Sequence, residues 1–200
     1  PTDFYLQIVS GNTGEAVRKG QGVAAECYVH ARSVISHPDL FDLQYWFFYP
    51  YNGNADRHTG HEGDWEHLTV RVSNILMPEI TSVYYSAHSP GQGRWIPGAD
   101  VPLSPEQRPI AYSARSSHAS YAVPGAHVRH RWKPVDYAAV DGPVWDTSAT
   151  LVMAAINGSP TPGNEWLDFS GRWGKFGRWW WKWAGHGPRG PAHQASWYIE

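Results

Sequence analysis

Short runs of alternating apolar and polar residues, separated by stretches rich in glycine and proline, restrict the fold of this chain more than any other feature. They lie at residues 26–34, 43–49, 68–73, 82–88, 109–114 and 150–156. Alternation with period two is typical of strands with one buried face, and the aromatic run 43–49 predicts a strand buried on both faces. The sequence therefore predicts a mainly β protein, an antiparallel β-sandwich with long loops and few short helices.

Helix signals are weak. Residues 38–42 and 165–169 each predict about one helical turn, and residues 150–156 fit a strand or a helical turn, of which we favour the strand. The length of 200 residues and the hydrophobic content of 42% suit one globular domain, residues 1–200. The chain begins at Pro1 without methionine, which fits a processed product or a piece of a longer precursor.

Composition excludes several classes of partner. Lys and Arg number 16 against 18 Asp and Glu, so we expect no nucleic-acid binding driven by phosphate neutralisation. The chain has no run of 18 apolar residues, so the sequence predicts no transmembrane segment, and no signal peptide is visible.

The single cysteine, Cys27, excludes a disulfide within the chain and predicts an inert buried thiol. The compartment and the oligomeric state stay open.

The stretch TGHEGDWEHL, residues 59–68, concentrates acidic and imidazole side chains just before one of the alternating runs. Extending that alternation backwards places Asp64 and Glu66 on the face of the apolar residues, where carboxylates are costly unless paired or metal-bound. His61 lies three residues before Asp64, across a glycine, and can fold back to the same point. These three residues predict a site for one divalent cation, Ca, Mg, Mn or Zn. The alternative is a polar turn, with Asp64 as a cap and Glu66 paired to an arginine.

Two further histidines follow strands of the predicted sheet. His88 ends the run that begins at residue 82, and His118 follows the next run. If neighbouring strands end at one edge of the sheet, both imidazoles converge there with the residues of the predicted metal site. The alternative is that each is a separate, half-exposed histidine.

Six motifs occur in order along the chain: LQYWFFYPYNG, GHEGDWEHLTVRVSN, VYYSAHS, RPIAYSARSSHASYAVPG, VWDTSATLV and WLDFSGRWG, the last followed by GPRGP. This ordered set resembles the Vps62 family of plants, fungi and bacteria, from about Val23 to Trp197. Members of that family carry more chain before this region, so the resemblance implies the C-terminal part of a longer precursor. It implies no defined biochemical role.

A remoter similarity joins GHEGDWE to the heptad G-H-R-H-D-W-E of NPP1-like necrosis-inducing proteins. Those are secreted β-sandwich cytolysins that hold a divalent cation in an acidic crevice and bind sphingolipid head groups. The resemblance implies His61, Asp64 and Glu66 as metal ligands and slightly favours secretion. The chain departs from that pattern at Gly63, which replaces the second histidine, and at the upstream aspartate, for which Asp56 is the nearest candidate. The disulfide common in that family cannot form here.

We therefore expect a metal-binding, toxin-like module that recognises a membrane lipid head group or a glycan. Its candidate ligand-binding residues are His88, His118, Tyr121 and Trp65. The alternative is a metal-dependent hydrolase, or an enzyme that transforms a small molecule, with Glu66 and His118 as the catalytic residues of the same crevice. A third interpretation is a structural cation that only ties loops together.

The segment RWWWKW, residues 178–183, allows two interpretations. Tryptophans flanked by basic residues suit the membrane interface, whereas consecutive rings alternate sides and cannot all face lipid. We favour aromatic packing over one end of the sandwich.

Overall fold

The computed structural model describes residues 5–6, 25–53, 60–89, 91–129, 135–174 and 186–198. Its strands are β1 Tyr5–Leu6, β2 Cys27–Ser33, β3 Leu40–Asn52, β4 His61–Ser73, β5 Ile80–Tyr85, β6 Arg94–Pro97, β7 Tyr112–Ser113, β8 Ser120–Tyr121, β9 Gly125–Val128, β10 Val135–Ala138, β11 Leu151–Ile156, β12 Ser159–Pro160 and β13 Arg172–Trp173. The helical segments are short 3₁₀ turns at Gly98–Asp100, Thr147–Thr150, Glu165–Asp168, Pro191–His193 and Ala195–Trp197.

One seven-stranded sheet dominates the described residues, in the order β12-β11-β2-β3-β4-β5-β6. All neighbours in it are antiparallel except β11 and β2, which run parallel. Three two-stranded pairs, β1 with β13, β7 with β8 and β9 with β10, lie outside it. The predicted mainly β class with long connections and few short helices is confirmed, and the large sheet is mixed rather than wholly antiparallel.

Most of the predicted strands are present. The runs 26–34, 43–49, 68–73, 82–88 and 150–156 correspond to β2, β3, β4, β5 and β11, whereas only Tyr112–Ser113 of the run 109–114 forms a strand. The helical turn predicted at 165–169 is a 3₁₀ turn. The turn predicted at 38–42 is wrong, because Leu40, Phe41 and Asp42 pair with the end of β4 and the sheet overrides their weak local preference.

The first face of the large sheet carries an aliphatic and aromatic core. Its buried residues are Cys27, Phe47, Leu68, Val70, Val83, Tyr85 and Val101. The Trp145 ring packs edge-on against Phe47, with centroids 5.4 Å apart. Burial raises the pKa of the Cys27 thiol to about 12, as expected of an inert buried cysteine.

The opposite face is richer in aromatic and polar side chains. Trp46 and Trp65 pack there with Leu167 and Trp197, and the Trp65 ring stacks on Trp166 at an interplanar angle of 7°. The C-terminal 3₁₀ turns cover this face. The Trp197 ring stacks on the His30 ring, with centroids 3.8 Å apart. Trp197 is therefore part of the core.

A buried ion cluster lies on the same face. The Asp42 carboxylate is fully buried and accepts bonds from Arg32 Nη2 at 3.1 Å and from Arg71 Nε at 2.7 Å. Arg32 also donates to the Trp197 carbonyl at 2.8 Å, which ties the C-terminal turn to the sheet. A buried carboxylate needs such partners because its desolvation is costly.

His30 is neutral for a geometric reason. Its Nδ1 lies 2.9 Å from the Gln44 side-chain oxygen, and its Nε2 accepts the Gly158 N–H at 2.9 Å. Because Nε2 accepts, the ring proton is on Nδ1. Burial lowers the pKa of His30 to about 4, with Arg32 lowering it further and Gln44 and Asp42 opposing the shift.

No helix of the described residues is long and apolar enough to cross a bilayer. The tryptophan-rich segment 178–183 lies outside these residues.

Acidification is expected to destabilise the protein through His30. The unfolded chain binds this proton near pH 6.5, but the folded chain resists it down to a pKa of about 4. The contribution of neutral His30 to the free energy of unfolding is therefore fully present above pH 6.5. It is lost as the pH falls from 6.5 to about 4, which lowers the free energy of unfolding by about 3 kcal/mol. Urea unfolding across this range should show a shallower decline for His30→Gln than for the parent.

The matched control is His37→Gln, which alters an exposed histidine of the β2–β3 turn. An equal decline in the parent and in His30→Gln would contradict the assignment.

Candidate functional site

Two acidic side chains of β4 lie on the first face of the sheet, as its alternation predicts. Glu66 is paired with Phe47 and Asp64 with Tyr49 on β3. Two residues further along β4 on the same face, Leu68 begins the apolar core. The carboxylates therefore lie where that core opens toward the start of β4.

The Asp64 carboxylate is held by two neighbours. Its Oδ2 accepts a bond from Asn52 Nδ2 at 2.8 Å and lies 3.0 Å from His118 Nδ1. The His118 ring stacks on Tyr49 with centroids 4.0 Å apart and an interplanar angle of 2°. Asp64 and Tyr49 together fix the position and the plane of this imidazole.

The loop that carries His118 is strained. His118 has φ 58° and Ser116 has φ 70°, in the left-handed region that residues other than glycine rarely adopt. The strain is offset locally, since the His118 N–H bonds the Ala114 carbonyl at 2.9 Å. Strained residues that the surroundings hold in place cluster at functional sites.

Asp136 of β10 is the most heavily bonded acid of the site. It is buried and accepts bonds from His88 at 2.5 Å, Ser117 at 2.7 Å, Tyr121 at 2.8 Å and Arg129 Nε at 2.8 Å. Burial opposes ionisation of Asp136, but these bonds outweigh it and hold its pKa well below the usual range.

Glu66 is close enough to the Asp64 and Asp136 carboxylates to be affected by the charge of each. Ser86 Oγ donates to its Oε2 at 3.2 Å. Burial raises the pKa of Glu66 well above its usual value, and the charges of Asp64 and Asp136 add to the rise. The Ser86 bond and the Arg129 charge oppose it only in part. The crevice thus combines one carboxylate that favours its ionised form, Asp136, with one acid that favours its protonated form, Glu66.

We use "the crevice" for the site formed by Asp64, Glu66, His88, His118, Tyr121, Arg129 and Asp136. It contains five of the residues proposed from the sequence: Asp64, Glu66, His88, His118 and Tyr121. The predicted convergence of the two strand-end histidines with the acidic pair is therefore present.

His61 and Trp65 make other contacts. His61 Nδ1 is 2.8 Å from the Gly63 carbonyl oxygen. Trp65 is buried among Trp166, Trp173 and Phe48 on the opposite face of the sheet, because successive residues of β4 point to opposite faces. Trp65 therefore contributes to the core and not to the crevice.

The predicted metal triad is not assembled in this arrangement. Across the described ranges, no group of three or more His, Cys, Asp or Glu side chains is placed to hold an ion. His61 Nδ1 donates to the Gly63 carbonyl, so Nε2 is the ring nitrogen that would bind a cation. The donor types suit a divalent cation, and cation binding stays a prediction.

Sequence reasoning missed Asp136, Arg129 and Asn52. A signal for Asp136 is present in the run VDYA, residues 135–138, where alternation turns Asp136 and Ala138 inward. An acid at an inward position of a strand indicates a buried, bonded carboxylate. Nothing in the sequence indicates that Arg129 is its partner.

The comparison with known families is specific. The profile of the family described as vacuolar protein sorting-associated protein 62 matches residues 2–176. Vacuolar protein sorting-associated protein 62 of Saccharomyces cerevisiae is 31% identical over 162 residues, which cover 66% of this chain and 34% of that protein. The S. cerevisiae protein TDA6, described as vacuolar protein sorting-associated, is 30% identical over 196 residues, which cover 75% of this chain and 40% of that protein.

Solved structures give a weaker likeness. The complex of NLPPya with glucosamine has a TM-score of 0.41 at 20% identity and covers 70% of this chain and 55% of that one. A structure described as a toxin fold for microbial attack and plant defense has a TM-score of 0.38 at 19% identity, covering 64% and 51%.

The chain spans less than half the length of the curated relatives described above. The profile match nonetheless extends over most of its residues, in agreement with the ordered motifs of the sequence. This chain belongs to the Vps62 family.

Proposed function

We propose that the crevice binds a sugar unit, carried either by a free glycan or by a lipid head group. The observation that carries the proposal is the convergence of three acidic side chains with two imidazoles at one end of the large sheet. Binding sites for small polar ligands combine a few directed polar groups with ring surfaces, and the crevice has both.

The polar groups complement sugar hydroxyls. Carboxylates accept hydrogen bonds from hydroxyls, and bonds to ionised groups are the stronger ones. His88, His118 and Arg129 are only partly buried, so they form a reachable rim, whereas Asp64 and Asp136 form a buried floor. A hydroxyl that enters between rim and floor meets donors and acceptors together.

The ring surfaces are held in place before any ligand binds. Tyr121 stacks on His127 with centroids 3.7 Å apart, and Tyr49 stacks on His118. The Asp136 bond further fixes the Tyr121 hydroxyl at 2.8 Å. Fixing these side chains in advance reduces the entropy that binding would otherwise cost.

The predicted divalent cation is retained as a separate proposal. Sugar binding is proposed to use the side chains of the crevice directly. Elemental analysis of the dialysed parent beside a His61→Ala/Asp64→Asn/Glu66→Gln variant tests the cation. One bound ion in the parent and none in the variant would support it, and no ion in either would remove it.

Sugar binding is expected to depend on His118. His118→Asn removes the imidazole, while asparagine tolerates the left-handed backbone found at this position. Loss of the hydrogen bond between this imidazole and a sugar hydroxyl is expected to raise the dissociation constant about tenfold, as measured by calorimetry. Glu66→Gln, which imitates the neutral acid that burial favours, should bind within about threefold of the parent. Glucosamine, present in one of the similar structures, is the first probe, followed by a glycan panel.

Glu79→Gln is the control, because Glu79 is an exposed acid at the far end of the sheet. Binding by a folded His118→Asn variant at parent affinity would exclude the crevice as the sugar site.

A second candidate is an enzyme that cleaves the bound ligand. It is favoured by the contrast between Glu66, whose environment raises its pKa, and Asp136, whose bonds lower its own. Acids shifted in opposite directions are typical of general acid–base sites. Glu66 would donate a proton to the leaving oxygen of the cleaved bond, and His118, oriented by Asp64, would accept a proton from the attacking water.

Glu66→Gln separates the two candidates, because it preserves shape but cannot donate an acidic proton. An enzyme should lose about a hundredfold or more in turnover of chromogenic glycosides and esters. Turnover equal to that of the parent would remove Glu66 from catalysis, and absence of turnover in the parent would leave binding as the function.

A further inference from the structure

The end of the large sheet that is distant from the crevice carries an exposed apolar tip. We use this name for Ile35 in the β2–β3 turn and for Ile75, Leu76 and Met77 in the β4–β5 turn. Their exposed fractions are 89%, 57%, 99% and 77%. Three of these residues are consecutive, so the tip is not a scatter of single apolar side chains.

Backbone bonds fix the shape of the tip. The Ser73 N–H bonds the Glu79 carbonyl at 2.9 Å, and the Glu79 N–H bonds Ser73 Oγ at 2.9 Å, which closes the β4–β5 turn. The Asn74 N–H bonds the Asp39 carbonyl at 2.6 Å, which joins the two turns. The apolar side chains are thus presented by a bonded framework.

Such exposure is unfavourable in water. Runs of three or more exposed apolar residues in a folded domain lower solubility unless they serve an interaction. We propose that the apolar tip docks the protein onto the surface of a bilayer of zwitterionic lipids.

Area favours a bilayer over a protein partner. A stable protein interface uses about 20–30 residues on each side, whereas the tip offers four exposed apolar side chains on two turns. A bilayer accepts protruding aliphatic side chains at its headgroup boundary without a matching groove, so a small tip is sufficient.

Charge selects the kind of bilayer. Asp39 and Glu79 flank the tip in the two turns, and His37 is the titratable group between Ile35 and Asp39. The basic side chains of the adjoining strands, Arg32 and Arg71, bind the Asp42 carboxylate. Anionic lipid would therefore be repelled by the acidic flank, and zwitterionic lipid would not.

The geometry also orients the crevice. Glu66 and Ser73 lie seven residues apart on β4, which corresponds to about 23 Å at the rise of an extended strand. Because the crevice and the tip lie toward opposite ends of the same strand, a protein docked by the tip presents the crevice away from that bilayer. The docking proposal does not rest on the function proposed for the crevice.

Flotation with sonicated phosphatidylcholine vesicles tests the tip. The parent should float with the vesicles in a manner that does not depend on salt, because the contact is apolar. Leu76→Ser/Met77→Ser should reduce the vesicle partition coefficient about tenfold or more. Both residues are exposed, so unfolding temperatures of parent and variant should agree.

Two controls separate the tip from the crevice. Val128→Thr/Val135→Thr alters an exposed apolar pair on the β9–β10 hairpin beside the crevice and should float like the parent. His118→Asn, which is expected to weaken sugar binding, should also float like the parent, so failure of the sugar-binding proposal is distinguishable from failure of the docking proposal.

Four results would overturn the proposal: a parent that does not float, a tip variant that floats like the parent, loss of flotation only in the hairpin variant, or a parent dimer that the tip variant dissociates. The last result would assign the tip to a second copy of the chain.

Discussion

The antiparallel pairing of β3 with β4 is the constraint on which the rest of the structure depends. Both strands have 13 residues, and they pair from Leu40 with Ser73 to Asn52 with His61. This register determines which side chains share a face, so Glu66 follows the apolar face of Phe47 while Trp65 is turned to the other. A shift by one residue would exchange the crevice acids with the aromatic core.

Buried charge is neutralised in a different way at each carboxylate. Asp42 is bound by two arginines, and Asp136 by an arginine, a histidine and two hydroxyls. Asp64 is bound by His118 and Asn52, whereas Glu66 is driven toward its protonated form. Asp42 is part of the core. Three partners of Asp64 and Asp136, namely His118, His88 and Arg129, are partly exposed, so a ligand can compete for them.

The two ends of the large sheet offer different chemistry. One end collects acids, imidazoles and stacked rings that complement a polar ligand, and the other presents aliphatic side chains with an acidic flank. Because β3 and β4 are hydrogen-bonded along their length, they hold the crevice and the apolar tip at opposite ends of the sheet. Membership of the Vps62 family indicates a fold shared over most of the chain.

Local alternation by itself determined the mainly β class, the positions of the long strands and the shared face of Asp64 and Glu66, because a period of two is written in consecutive residues. The convergence of His88 and His118 was also predictable, since both follow strands. Only the tertiary structure decided that Asp136 joins them, because β10 belongs to a separate hairpin. It likewise decided the position of His61: Gly63, at φ 72°, interrupts the extended backbone before Asp64, and a side chain there would meet the Trp173 carbonyl. Contacts between distant segments depend on packing, which periodicity does not encode.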